Sequence, residues 1–142
     1  MIKRAAHIFD HVIVAVSDNT SKKALFTIKE RVELLREVTK GIKNVSVETF
    51  DALVIEFARR KKIHVLIRGL RMTSDFDYEF QIALTDRRLA EDIETVFLMP
   101  SEHVSFLSSS LLKEVASLNA DISSFVPKVV ERKLKEHLKR SL

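Results

Sequence analysis

The stretch LIRGLRMTSDFDYEF, residues 66–80, decides how the chain reads. Val65, Leu66 and Ile67 form a short apolar run of the kind that fills a buried strand, and the run stops at Arg68. Gly69, one of only 2 glycines in the chain, comes next, followed by Leu70 and Arg71. Acidic and aromatic residues then continue in what reads as a helix. Two cations thus flank a glycine at the exit of a core strand. Gly69 there either supplies a positive φ in a tight turn or lets another group approach the backbone closely. In one reading Arg68 and Arg71 grip a polyanion from two sides. In the other, Arg68 pairs with Asp75 or Asp77 and Gly69 is a turn. Pattern alone leaves both open.

Working outward, strands alternate with helices. HVIVAV (11–16), VSVETF (45–50), HVLIR (64–68) and ETVFLMP (94–100) read as strands. The 27–42 segment has apolar residues at 28, 32, 35, 38 and 42, which is helical spacing. Thr27 and Glu30 stand at capping-box distance, and Gly41 sits where that helix should end. Further helices are expected over 51–62 with Asp51 as cap, over 74–91 with Ser74 as cap, over 108–118, and over 126–142 with Pro127 in the first turn. The first dozen residues read as part of a helix with Ile2, Ala5 or Ala6, and Phe9 on one face. Strands apolar nearly throughout call for a parallel sheet covered on both faces. The expectation is a single α/β domain spanning residues 1–142, a Rossmann-like doubly wound parallel sheet. Ligands in such sheets bind beyond the carboxyl ends of the strands.

Composition narrows the chemistry. A chain of 142 residues with 46% hydrophobic and 31% charged residues is sized and balanced for one globular domain. The absence of Cys excludes disulfides, thiolate metal sites and a cysteine nucleophile, and with no apolar run of membrane-span length it points to a cytoplasmic protein. The net charge of +4 lies largely in 59–64 and 131–140. Few aromatics accompany it, so solvated helix ends fit better than a nucleic-acid surface.

With only Gly41 and Gly69 there is no glycine-rich phosphate loop. A phosphate site here has to use side-chain cations and helix N-termini. Three segments after strands provide them: Lys22 and Lys23, then Arg68 and Arg71, then SFLSSS (105–110) at the start of a helix. Each alone has a bland explanation, as solvated lysines, a turn or a serine cap. All three belong on one edge of a parallel sheet, and their convergence is the stronger signal. Glu79 near a helix start suits a ribose or an amine, or is a surface acid. His7, His11, His64, His103 and His137 show no metal-ligand spacing. Tyr78 and the phenylalanines read as core.

The segments FDHVIVAV, SKKALFTIKERVELL, VLIRGLRMTSDFDYEFQIAL, ETVFLMPS and SFLSSSLLKEVA together resemble the bacterial phosphopantetheine adenylyltransferase family, from about Lys3 to the last helix. The resemblance implies a nucleotidyltransferase-type Rossmann-like fold, a homohexamer built from two trimers, and transfer of an adenylyl group from ATP to 4′-phosphopantetheine, giving dephospho-coenzyme A and pyrophosphate. It implies that Lys22 and Arg68 hold the acceptor phosphate, with Val54 against the pantetheine arm. Gly69, Leu70, Arg71 and Glu79 are implied to contact ATP, and Val104, Ser105, Phe106, Leu107, Ser108, Ser109 and Ser110 to form the adenylate and phosphate wall. Lys22 and Arg71 are the implied catalytic cations. Mg²⁺ would come with ATP, and coenzyme A is an implied inhibitor. Two departures stand out. The family begins with a strand and a histidine motif that have no counterpart in these residues. The chain is therefore expected to be N-terminally truncated relative to the family, to leave strands unpaired, and to turn over little as it stands. Val104 occupies a position where the family usually has an aromatic residue. The rivals are a related nucleotidyltransferase with another acceptor and a non-catalytic nucleotide or coenzyme A binder.

Overall fold

Strands and helices alternate along the chain in the computed structural model, which describes residues 1–18, 24–71 and 73–140. The strands are β1 (Val12–Ser17), β2 (Val45–Phe50), β3 (Val65–Gly69) and β4 (Glu94–Leu98). The helices are α1 (Ile2–Ile8), α2 (Ile28–Thr39), α3 (Val54–Arg60), α4 (Thr73–Leu89), α5 (Ser109–Ser117) and α6 (Lys128–Arg140), with a 3₁₀ turn at Glu102–Val104.

All pairing is parallel, as the apolar strands require, but the four strands do not make one sheet. β1 pairs with β2 in the register Val12↔Val45 to Ser17↔Phe50. β3 pairs with β4 in the register Val65↔Glu94 to Gly69↔Leu98. These are two separate two-stranded sheets among the described residues. The expected single doubly wound sheet is thus divided, and among the described residues each of the four strands keeps one edge without a partner strand.

Three small cores hold the elements. Val16, Val32 and Val47 bind α2 to the first sheet. Ile55, Ala58, Ala90 and Ile93, with Leu66 and Ile63 against them, bind α3 to β3 and the end of α4. Ala116, Ile122 and Leu134 join α5 to α6. α3 also reaches the first sheet, since Phe57 stacks on Phe50 with ring centroids 5.3 Å apart.

Local signals place most boundaries. Gly41 adopts φ 91° just past α2, the left-handed stop that glycine allows at no steric cost. α3 departs from expectation: it begins at Val54 behind Leu53, without a side-chain cap, and Asp51 lies before it. β2 runs to Phe50, so residues 51–53 are needed to turn the corner, and the Phe50–Phe57 stack sets where the helix starts. β4 ends at Leu98, opposite Gly69, because its ladder has no partner residue beyond that point. Ser74 as a cap falls on a side chain outside the described ones.

The capping box at α2 is complete: the Thr27 backbone N–H donates to Glu30 Oε2 at 3.0 Å and the Glu30 N–H to Thr27 Oγ1 at 3.3 Å. Glu30 also binds α6, through His137 Nε2 at 2.8 Å and Lys133 Nζ at 3.2 Å. The hydrogen bond from His137, then that from the Thr27 backbone, hold the Glu30 carboxyl down at about 2. A depressed carboxyl stabilises the fold above its unfolded value and loses that contribution as pH falls toward the folded one. The urea midpoint of the wild type should therefore fall between about pH 4.5 and pH 2, and Glu30→Gln should flatten that fall while lowering the midpoint at pH 7. Equal slopes in the two proteins would remove Glu30 as the acid-sensitive clasp. Thr27→Ala should cost about 1 kcal/mol at neutral pH.

Candidate active site

Alternation along β3 puts Leu66 and Arg68 on one face of the strand. Leu66 packs on the core that includes Ala90, just past the carboxyl end of α4. Two residues further along β3, Arg68 meets α4 nearer its start, where its Nε donates to the Glu79 carboxylate. Arg68 therefore pairs with Glu79, not with Asp75 or Asp77. Asp86 lies seven residues after Glu79, two turns along the same helix face. One of its carboxylate oxygens is buried without a hydrogen bond. Burial pushes the Asp86 carboxyl up, and the charge of Arg68 opposes that rise. Arg68 is thus a half-buried cation facing two carboxylates, and its side chain keeps 27% of its surface exposed.

Gly69 closes the β3–β4 ladder opposite Leu98. Its φ is not positive, since among the described residues only Lys62, Asn119 and Gly41 lie in that region. The positive-φ reading of Gly69 is therefore replaced by the close-approach reading. A Cβ added there would overlap the Met1 thioether, with Met1 Cε at 3.0 Å. The glycine leaves room for a side chain to lie on the backbone at the strand exit.

Arg71 leaves the strand in the other direction. Its Nε donates to Asp75 Oδ2 at 3.1 Å and its Nη1 to the Leu107 carbonyl at 2.9 Å. The second bond matters more for the site, because it ties the turn after β3 to the segment after β4. Two of the three expected post-strand segments do converge. The third, Lys22 and Lys23, lies outside the described residues. Leu70 continues the seam, its N–H donating to the Leu98 carbonyl at 3.3 Å.

The segment after β4 is built by its own backbone. Val104 ends a 3₁₀ turn and its carbonyl accepts from the Leu107 N–H at 3.2 Å. Ser105 Oγ donates to the Glu102 carbonyl at 2.9 Å. Phe106 is mostly exposed and meets Phe125 edge to face at 6.1 Å. Ser108 caps α5, accepting from the Leu111 N–H at 3.1 Å. Ser109 and Ser110, exposed in the first turn, present N–H groups that no helical carbonyl takes up.

A cleft of about 710 Å³ opens between the two sheets, with Val54 and Arg68 among its lining residues. The two residues expected at opposite ends of one substrate therefore share one cavity. Among the described residues no group of three or more His, Asp or Glu side chains could hold a metal ion. His7, His11, His64 and His137 bind Lys3, Ser46, Asp92 and Glu30 respectively, in structural roles. The residue that sequence reading missed is Asp86. The only sequence signal is its seven-residue spacing from Glu79, which is common on any helix.

Residues 1–115 match a family model described as cytidylyltransferase-like. The chain is 50% identical over 141 residues to proteins named phosphopantetheine adenylyltransferase from Caldanaerobacter subterraneus subsp. tengcongensis and from Thermodesulfovibrio yellowstonii. Each match takes in 99% of this chain and 88% of the relative. The chain belongs to the phosphopantetheine adenylyltransferase family. The cytidylyltransferase-like match runs through all four strands and into α5, so it contains Val54, the β3 exit and the 104–110 segment.

The raised Asp86 carboxyl has a pH signature opposite to that of Glu30. A raised carboxyl favours the fold while protonated and loses that contribution as pH rises through its folded value. Asp86→Asn should therefore gain stability over the wild type as pH rises from 3 toward 7. A difference between the two urea midpoints that shrinks over that range would show Asp86 to be fully compensated by Arg68.

Proposed function

We infer that this chain carries out the reaction named for its relatives: an adenylyl group passes from ATP to 4′-phosphopantetheine, giving dephospho-coenzyme A and pyrophosphate. The observation that carries the reading is the join between the two strand exits, Arg71 to the Leu107 carbonyl, in a chain half identical to those enzymes over its whole matched length. A phosphate oxygen of the acceptor attacks the α-phosphorus of ATP. The bond from that phosphorus to the bridging oxygen breaks, and pyrophosphate leaves. No side-chain nucleophile is required. The protein's task is to align the two phosphates and to stabilise charge growing on their oxygens.

In this reading Lys22 and Arg68 hold the acceptor phosphate and Val54 borders the pantetheine arm. Gly69 and Leu70 let the nucleotide lie close to the backbone, Arg71 takes its phosphates, and Val104 to Leu107 border the adenylate. Ser108, Ser109 and Ser110 add the N–H groups of the α5 start. Arg68 is neutralised by Glu79 in the free protein. An arriving phosphate displaces that carboxylate and frees Glu79 for the nucleotide's hydroxyls. MgATP is the substrate form, with the ion carried by the phosphates, because the described residues offer it no acidic cage. Coenzyme A carries the product's pantetheine arm and adenylate, so it competes for the same site.

A cytoplasmic homohexamer completes the reading. The absence of Cys and of any described helix long and apolar enough to cross a membrane supports the location. Assembly is supported by α4, where Phe76, Tyr78, Phe80 and Leu84 are all more than 40% exposed and Phe76 stacks on Phe80 at 5.4 Å. A row of that kind calls for cover by another surface.

The direct test is to follow pyrophosphate release from ATP with and without 4′-phosphopantetheine. Slow acceptor-dependent release is expected. Saturable ligand binding without release would favour the non-catalytic binder, and release with a different phosphate acceptor would favour the related nucleotidyltransferase. Arg71→Ala should raise the KM for ATP about tenfold or more, on the scale of a lost charge-assisted hydrogen bond, and move the urea midpoint little. Wild-type ATP kinetics in that variant would refute its role.

A further inference from the structure

The covered stripe of α4 is unusually acidic. Among the described side chains, Asp75, Glu79, Ile82, Ala83 and Asp86 are the partly covered residues of this helix, and Ala90, just past its end, is fully buried. Their helical spacing puts them in one stripe, on the side that meets β3. Two of the three carboxylates have a cation: Asp75 has Arg71 and Glu79 has Arg68. Asp86, one turn before Ala90, has no donor for its buried Oδ2.

A buried carboxylate without a donor depends on a nearby positive charge to stay ionised. Arg68 is that charge: burial drives the Asp86 carboxyl up and the Arg68 guanidinium opposes the rise. The neighbouring elements supply no substitute. Glu94 of β4 pairs with Arg87, and the rest of β4 is uncharged. α3 gives Ile55 and Ala58 to the core around Ala90. Arg68 on β3 and Glu79 on α4 are therefore the charged groups that face Asp86.

Arg68 also has a second claimant. Among the described residues only its Nε is engaged, by Glu79. A phosphate monoester carries about 1.5 to 2 negative charges near neutral pH, more than the carboxylate it displaces. Its arrival on Arg68 cancels the positive field at Asp86 and adds negative charge nearby. The burial of the Asp86 carboxylate is then uncompensated, and the protonated side chain becomes the lower-energy form.

We propose that Asp86 is a positioning residue that sets the charge of the acceptor-phosphate site, taking a proton from solvent when the phosphate binds Arg68 and returning it when the phosphate leaves, on the reading in which Arg68 holds that phosphate. A neutral Asp86 leaves the whole charge of Arg68 to the ligand. Proton uptake on binding means that acceptor affinity falls as pH rises through the bound-state value of Asp86.

The test is calorimetry of 4′-phosphopantetheine binding in two buffers of different ionisation enthalpy, which counts the protons taken up. Wild type and Asp86→Asn are compared from about pH 5 to about pH 8. Asparagine copies the protonated carboxyl in shape and charge. The ligand phosphate titrates in both proteins, so a difference in proton count belongs to Asp86. Wild type should take up more protons than Asp86→Asn. The variant should bind about tenfold more tightly at about pH 8, and this advantage should vanish toward about pH 5. A purely structural Asp86 would move neither the proton count nor the pH dependence of that ratio. Equal counts, or a ratio that stays constant with pH, would overturn the proposal. Arg68→Gln separates the two readings. Acceptor affinity that is absent in wild type, or unchanged by Arg68→Gln, overturns the roles of Arg68 and Asp86 together. A large loss in Arg68→Gln, with equal proton counts in wild type and Asp86→Asn, overturns that of Asp86 alone. Should Asp86→Asn lose its native circular dichroism, carboxyl-carbon NMR of the wild type replaces it. The Asp86 resonance should titrate at higher pH with acceptor bound, and an unchanged titration would overturn the proposal.

Discussion

The β3–β4 ladder sets Gly69 opposite Leu98, and the candidate site depends on that register. It brings two strand exits side by side, so that the turn carrying Arg71 meets the backbone at Leu107. It also orients Arg68. A slip of one residue would turn Arg68 to the other face and put a neighbouring residue against Glu79. Leu66 guards against that slip, because it is packed against Ile55, Ala58, Ala90 and Ile93 on the face that Arg68 shares. An apolar contact at one end of the strand thus aims a cation at the other.

The cations are held before any ligand arrives. Arg68 faces Glu79 and Asp86, and Arg71 is bound by Asp75 and a carbonyl. Internal carboxylates lower the cost of keeping positive charge partly out of water. They also compete with an incoming phosphate, which carries more charge and more acceptor oxygens than a carboxylate. Such a site trades some binding strength for preorganisation, which suits chemistry that consists mostly of alignment. Glu79 and Asp86 differ within this arrangement: the first accepts a hydrogen bond directly from Arg68, while the second keeps an oxygen buried without a partner.

Packing is divided in the same way as the sheets. Each of the three cores is small, and α3 touches both sheets, through Phe57 on one side and Ile55 and Ala58 on the other. α6 is clasped to α2 by Glu30, which serves helix capping and tertiary contact with one carboxylate. Large apolar residues on α4 stay in water, and β3 is only partly covered along its whole length. Surface of that kind is a feature of a chain that makes further contacts.

The sequence by itself determined the parallel α/β alternation, because uninterrupted apolar strands between amphipathic helices leave few other solutions. Thr27, Glu30, Ser108 and Gly41 marked helix ends through local hydrogen bonding and backbone freedom, which need no tertiary partner. The family resemblance was legible in the RGLR and SSS segments, and the comparisons agree with it. Tertiary structure decided the rest. Whether Arg68 would choose Asp75, Asp77 or Glu79 depends on how α4 crosses β3, which no local rule contains. The start of α3 was set by Phe50 against Phe57 and not by Asp51. The registers Val12↔Val45 and Val65↔Glu94 came from which strand edges found partners, a matter of long-range hydrogen bonding that side-chain pattern does not encode.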